Sequence, residues 1–200
     1  MVKEERTASS RFEANGLSVR AREQEPAVTQ ALQSVLTAHG GQFSGLEHRF
    51  KTTDRLQEKI DSGKAPRDAL RYTVTFPPDR YMEGTQSLLR EMYSKYDTRD
   101  EWNKQRWALG DHYQGINTSW KSGGLPFELQ IHTPESSSVA KSKASHMLYE
   151  NWQRATDPIV KAKYANLRLQ EEANITNPVP EYMQRRPTWQ WALTPYDPFS

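Results

Sequence analysis

Cysteine is absent from the 200 residues. Disulfides, thiolate nucleophiles and zinc–thiolate centres are excluded together, and either redox compartment is open to the protein. Long apolar runs are missing as well, so no stretch can cross a bilayer as a helix. The first sixteen residues, MVKEERTASSRFEANG, hold no apolar segment of the kind a cleaved secretory signal needs, and none is expected. Charge of one sign is also lacking. Lys and Arg number 27 against 25 Asp and Glu, a net charge of +2, too even for a general nucleic-acid binder, although local basic clusters remain. Apolar residues make up only 35%, below the roughly 45–50% (glycine included) of an average domain, and mean hydropathy is -0.92. One modest core under a wet surface follows, with too little chain for two full domains. Six Trp and nine Tyr exclude disorder throughout.

Residues 1–24 are polar, mixed in charge and without obvious period, and read as a flexible leader. From Glu25 to Ala38, Pro26 stands at a plausible first helical position, and Val28, Leu32, Val35 and Leu36 form one stripe. His39-Gly40-Gly41 ends that helix. Gly45–Lys51 alternates and predicts a strand, with Leu46, His48 and Phe50 on one side and Glu47, Arg49 and Lys51 on the other. A short helix follows from Thr53 or Asp54 to Ile60, then a second strand from Ala69 to Phe76 ended by Pro77-Pro78. A helix over Asp79–Tyr96 turns Leu88, Leu89, Met92 and Tyr96 inward, and the charged stretch Asp97–Arg106 reads as surface loop or helix end. Tyr113–Trp120 and Leu125–His132 form a hairpin through Gly123-Gly124. Thr133-Pro134 opens a helix running to Ala155, and residues 158–173 form another with its charges outside. Residues 174–200 are a tail whose prolines forbid regular structure and whose aromatics pack it on the domain. The order predicts an α+β fold, a mixed sheet of about four to five strands with helices packed on it.

The polar sides of the strands carry the chemistry. Glu47, Arg49 and Lys51 come from one strand, and Glu128, Gln130 and His132 from another. By spacing alone, cross-strand ion pairs facing water account for these residues as well as a site does. His146, Glu150 and Arg154 at four-residue steps fit an exposed charge ladder at least as well as a catalytic role. Glycine-rich phosphate loops, zinc-binding histidine pairs and serine nucleophile elbows do not occur.

Four short words shift that balance: Arg49-Phe50-Lys51-Thr52-Thr53, Asp68-Ala69-Leu70-Arg71-Tyr72, Tyr113-Gln114-Gly115-Ile116-Asn117 and Phe127-Glu128-Leu129-Gln130-Ile131-His132-Thr133. In that order, over roughly residues 25–155, they resemble the RelA/SpoT-type alarmone synthetase domain, an ATP:nucleotide pyrophosphotransferase family with a nucleotidyltransferase-like fold. The resemblance implies that Arg49 and Lys51 hold the ATP phosphates, with Lys59 as a further contact; Arg71 is the candidate phosphate-binding cation nearest to the family's arginine position, and whether it substitutes there is open. The resemblance also implies Mg2+ on Asp68, with Glu128 beside it as the catalytic carboxylate and second metal ligand. Tyr113 would stack on the acceptor purine, helped by Asn117 and Gln130. His132 stands where the family has an arginine, as a weaker phosphate donor. Thr73 stands where an arginine is common, Gly115 replaces a serine and Asn117 a histidine, which leaves the acceptor base open.

Three functions compete. The first is transfer of the β,γ-pyrophosphate of ATP to the 3′-hydroxyl of a purine nucleotide, giving (p)ppGpp- or (p)ppApp-like products. The wording is closer to stand-alone or effector-type members, with no room for an attached hydrolase. That fits a growth-inhibiting toxin acting in a cytoplasm, its own or a target cell's. An antitoxin or immunity protein covering the cleft would suit such a toxin, although nothing in the sequence encodes it. The second moves the same group to the 3′ end of tRNA, with Arg185, Arg186, Trp189, Trp191, Lys141, Lys143, Lys161 and Lys163 as a basic, aromatic platform. The third is a nucleotide-binding or interaction module that has lost the chemistry. No membrane partner is expected.

Overall fold

Alternation of apolar and polar residues sets the central sheet. In the computed structural model, which describes residues 2–98, 103–107, 113–173, 175–184 and 186–193, strand β2 (Leu70–Thr75) runs parallel to β6 (Leu125–His132). The register sets Leu70, Tyr72 and Val74 beside Phe127, Leu129 and Ile131. Strand β5 (Ile116–Ser122) pairs antiparallel on the other side of β6, adding Ile116, Thr118 and Trp120 to the same face. Gly123 and Gly124 join these two strands with φ of 54° and 78°, the left-handed pair a two-residue hairpin turn demands. Two-residue strands complete the sheet in the order β1 (Gln42–Phe43), β2, β6, β5, β3 (Asp97–Thr98), with β4 (Lys104–Gln105) also on β5. The fold is α+β with a mixed sheet, as the element order predicts, and one of its strand pairs, β2 with β6, is parallel.

Helices α1 (Val2–Ala38) and α3 (Tyr81–Lys95) cover the apolar face. Tyr93 meets Trp120 edge-on at 4.9 Å between ring centroids, and Tyr96 meets Phe127 at 5.2 Å. The Tyr81 hydroxyl donates to the Ile131 carbonyl at 3.1 Å. Helix α2 (Thr53–Asp61), capped by the Thr52 hydroxyl, packs against α1. The other face of the sheet receives α4 (Pro134–Lys141), with α5 (Lys143–Arg154) and α6 (Pro158–Glu172) beyond it.

Four expectations are corrected. The predicted leader is helical: α1 starts at Val2, with Pro26 inside it and Ala14, Leu17 and Ala21 buried. These small residues, spaced three and four apart, form a helical stripe too weak in hydrophobicity to stand out among the charges. The predicted strand over Gly45–Lys51 is instead a 3₁₀ turn, Leu46–His48, followed by one bridge between Phe50 and Leu70. The long helix from Thr133 breaks at Ser142, whose ψ of 143° ends α4 while its hydroxyl caps α5. The tail is not irregular throughout. Helices α7 (Glu181–Gln184) and α8 (Thr188–Leu193) fit between its prolines, and α8 packs on α3. Trp191 is fully buried there, its indole donating to the Met183 carbonyl at 3.1 Å, while Tyr196 and Phe199 lie outside the described residues.

Candidate functional site

Sheet register determines which polar side chains become neighbours. Opposite the apolar face, Arg71 and Thr73 of β2 lie beside Glu128 and Gln130 of β6, which lie beside Ser119 and Asn117 of β5. Asn117 donates its side-chain amide to Glu128 Oε1 at 2.9 Å, and the Thr73 hydroxyl donates to Gln130 Oε1 at 3.2 Å. Glu128 Oε2 has no partner among the described residues. Arg71 is exposed and reaches outward to the His48 carbonyl, 3.4 Å from Nε, so it forms no ion pair with Glu128. The face thus holds one oriented carboxylate beside a cation it does not neutralise.

The other predicted phosphate ligands divide. Arg49 has φ of -65° and ψ of -24°, which breaks the alternation that would aim it at Glu128. Its guanidinium pairs with Glu25 of α1 at 2.8 Å and lies 4.8 Å from the Phe50 ring centroid. Because α1 covers the apolar face, Arg49 stands on the wrong side of the sheet for the role the resemblance implies. Lys51 and Lys59 instead converge on Asp68, the second at 2.8 Å. Burial pushes the Asp68 carboxyl up, but hydrogen bonds and charge from the two lysines outweigh it and hold its pKa below the ordinary aspartate value. The Lys51 amide donates to the Ala69 carbonyl at 3.1 Å, so this cluster sits at the start of β2, where Arg71 faces Glu128.

Further along the same face, a cavity of about 370 Å³ opens between the sheet and α4–α6. Thr73 and Gln130 form its floor, Tyr113 and His132 one wall, and Lys141, Tyr149, Arg168 and Glu172 reach it from the helices. His132, which the resemblance implies as a weaker phosphate donor, has both ring nitrogens engaged inside the protein, with the Tyr113 hydroxyl and Ser136 Oγ. Burial drives its pKa down to about 4, a Gln114 backbone hydrogen bond opposes this and the Lys141 charge adds to it, so the ring is neutral at pH 7. Tyr113 titrates well above the ordinary tyrosine range, through burial first and then the negative charges of Glu128 and Glu172, with Tyr81 adding to both.

Sequence reasoning missed Lys141, Arg168 and Glu172 as cavity residues. Lys141 donates to the Ser44 carbonyl at 2.8 Å, and its pKa is lowered by burial, with Glu47 opposing and Arg71 adding to the shift. Arg168 and Glu172, four apart on α6, are both buried, whereas the helix reads in sequence as charged outside. The His146–Glu150–Arg154 series is an exposed ladder, with contacts of 3.2 and 3.4 Å. The predicted RNA platform is split between layers. Trp191 is buried and Trp189 sits on α8 against α3, while Lys141, Lys143, Lys161 and Lys163 lie on α4–α6 across the sheet. Arg186 precedes α8, and Arg185 lies outside the described residues.

Among the described residues, no group of three or more His, Asp or Glu side chains gathers as a metal cage. A magnesium ion completed by water and phosphate oxygens needs only one or two carboxylates; Glu128 has one oxygen available to it, whereas both Asp68 oxygens are paired with Lys51 and Lys59 and must release them to serve as ligands. No helix among these residues is long and apolar enough to cross a membrane. No protein-family model matches the chain, and no curated protein matches it.

Proposed function

We propose that this protein is an ATP-dependent pyrophosphokinase that transfers the β,γ-pyrophosphate of ATP to the 3′-hydroxyl of a purine nucleotide. The observation that carries this reading is Glu128: a carboxylate with one oxygen held by Asn117, beside an exposed Arg71, on the same sheet face as Gln130 and Thr73, which line a cavity of about 370 Å³. The acceptor 3′-oxygen attacks the β-phosphorus, the bond from that phosphorus to the α,β-bridging oxygen breaks, and AMP leaves. Glu128 takes the hydroxyl proton. Arg71 supplies positive charge to the donor phosphates, joined by Lys51 and Lys59 when the phosphates compete with Asp68 for them. Asp68 and Glu128 are the residues that would hold Mg2+, which when bound offsets phosphate charge. Tyr113 and Gln130 line the acceptor side.

Incubation of the purified chain with labelled ATP, Mg2+ and, separately, GDP, GTP, ADP, ATP or uncharged tRNA tests the reading. A product carrying two additional phosphates on a free nucleotide, with AMP in equal amount, is expected. Glu128→Gln is expected to abolish it while the melting temperature stays close to that of the unaltered chain. No product with any acceptor, or undiminished turnover in Glu128→Gln, overturns the assignment. Product on tRNA alone transfers the same chemistry to an RNA acceptor.

A further inference from the structure

The proposed chemistry leaves His132 without a role. The residue ends β6, is 1% exposed, and has both ring nitrogens in hydrogen bonds, Nε2 with the Tyr113 hydroxyl at 2.7 Å and Nδ1 with Ser136 Oγ at 3.0 Å. Ser136 belongs to the box that caps α4. Its Oγ accepts from the Thr133 amide at 3.1 Å, and its own amide donates to Thr133 Oγ1 at 3.2 Å. One assignment uses every donor: Tyr113 O–H to Nε2, Nδ1–H to Ser136 Oγ, and the Ser136 hydroxyl to the Thr133 carbonyl at 3.4 Å. The chain links a ring in the cavity wall to the rigid first turn of α4. The Tyr113 and His132 rings also meet edge-on, 5.0 Å apart.

Space for this contact comes from Gly115. A Cβ there would stand 2.7 Å from His132 Cε1 and 3.1 Å from the Ile131 carbonyl oxygen, too close for either to stay in place. Glycine for serine and histidine for arginine, two separate departures in the sequence, are one packing solution in three dimensions.

We propose that His132 is a positioning residue for the acceptor nucleotide, fixing the Tyr113 ring against which the purine packs. The inference rests on the proposed pyrophosphoryl transfer and on Tyr113 as the stacking surface. A tyrosine ring anchored at its hydroxyl and its edge has little torsional freedom left to lose when a base arrives, which favours binding without touching the reacting atoms. The imidazole acts as a neutral acceptor; it gives the acceptor a place and the phosphates no charge.

Steady-state kinetics on the full chain with ATP, Mg2+ and the better of GDP and ADP tests this. His132→Leu and Tyr113→Phe each remove the same hydrogen bond, so each raises the acceptor KM about tenfold. The KM for ATP and kcat move less than about twofold, and the double variant matches either single one because the two residues act as a unit. His132→Gln, whose amide reaches the Nε2 position, restores most of the affinity. Additive effects, or an unchanged acceptor KM in either folded variant, overturn the positioning role. If His132→Leu does not fold, Tyr113→Phe and His132→Gln decide the matter. A wild-type chain that binds GDP or ADP but forms no product overturns pyrophosphoryl transfer alone, and positioning is then read from the Kd in the same variants. A chain that binds neither nucleotide overturns both.

Discussion

Asn117 and Glu128 meet across the β5–β6 pair, the amide nitrogen of one 2.9 Å from a carboxylate oxygen of the other. They are not direct register partners, for Asn117 lies opposite Gln130 and Glu128 opposite Ser119. The contact is therefore diagonal, and it holds one carboxylate oxygen of Glu128 toward β5. Asn117→Ala frees that carboxylate to rotate, and turnover should fall about tenfold, the worth of one hydrogen bond to a charged group. Asn117→Asp places a second negative charge there and should cost more. Equal turnover in all three proteins would show that the orientation of Glu128 does not matter.

Asp68 provides a pH test. Its folded-state pKa is depressed, so the stability it contributes is present above the unfolded value and is lost as pH falls through the folded value. Wild type should lose this contribution only below about pH 4. Asp68→Asn should already be less stable at pH 7 by about 1–2 kcal/mol, allowing for partial solvent screening of the two lysine contacts. Urea midpoints of the two proteins should converge at acid pH; a gap that persists at pH 2–3 would show that the carboxylate charge is not its source.

Leu17 tests whether the first 24 residues belong to the folded unit. It is 5% exposed on α1, and Leu17→Ala should lower stability by about 2 kcal/mol, toward the small end for a buried leucine. A mobile segment would give no change in the chemical-denaturation midpoint.

Gly115→Ala should destabilise the protein by about 1–3 kcal/mol through overpacking against His132 and the Ile131 carbonyl. Combined with His132→Ala, which empties the space the new methyl needs, the two losses should sum to less than their separate values. Strict additivity, measured by thermal melts of the four proteins, would sever the link between these positions.

The sheet was legible because burial on one face of a strand writes itself as strict alternation: Leu70, Tyr72, Val74 and Phe127, Leu129, Ile131 need no partner to be recognised. The glycine pair gave the hairpin for the same local reason. The parallel pairing of β2 with β6 was not readable, and it alone makes Arg71 the neighbour of Glu128. Alternation also misled at Glu47, Arg49 and Lys51, where a helical φ,ψ pair at one residue sends Arg49 to Glu25. His132 could not be identified as neutral from sequence, because its pKa is set first by burial, then by the Gln114 backbone and the Lys141 charge, which only the fold brings to it. Arg168 and Glu172 were hidden for a simpler reason: charged side chains on a helix normally face water, and these two do not.

The late position of α6 has a bearing on synthesis. Residues 158–172 supply Arg168 and Glu172 to the cavity, and Ile175 follows them, whereas Glu128 and Arg71 are in the chain well before. A nascent polypeptide emerging from the ribosome can pair its strands and expose its carboxylate while lacking the enclosure that retains a small molecule. If Glu128 drives a reaction that drains nucleotides, the order of the elements postpones that hazard until α6 has followed the sheet out.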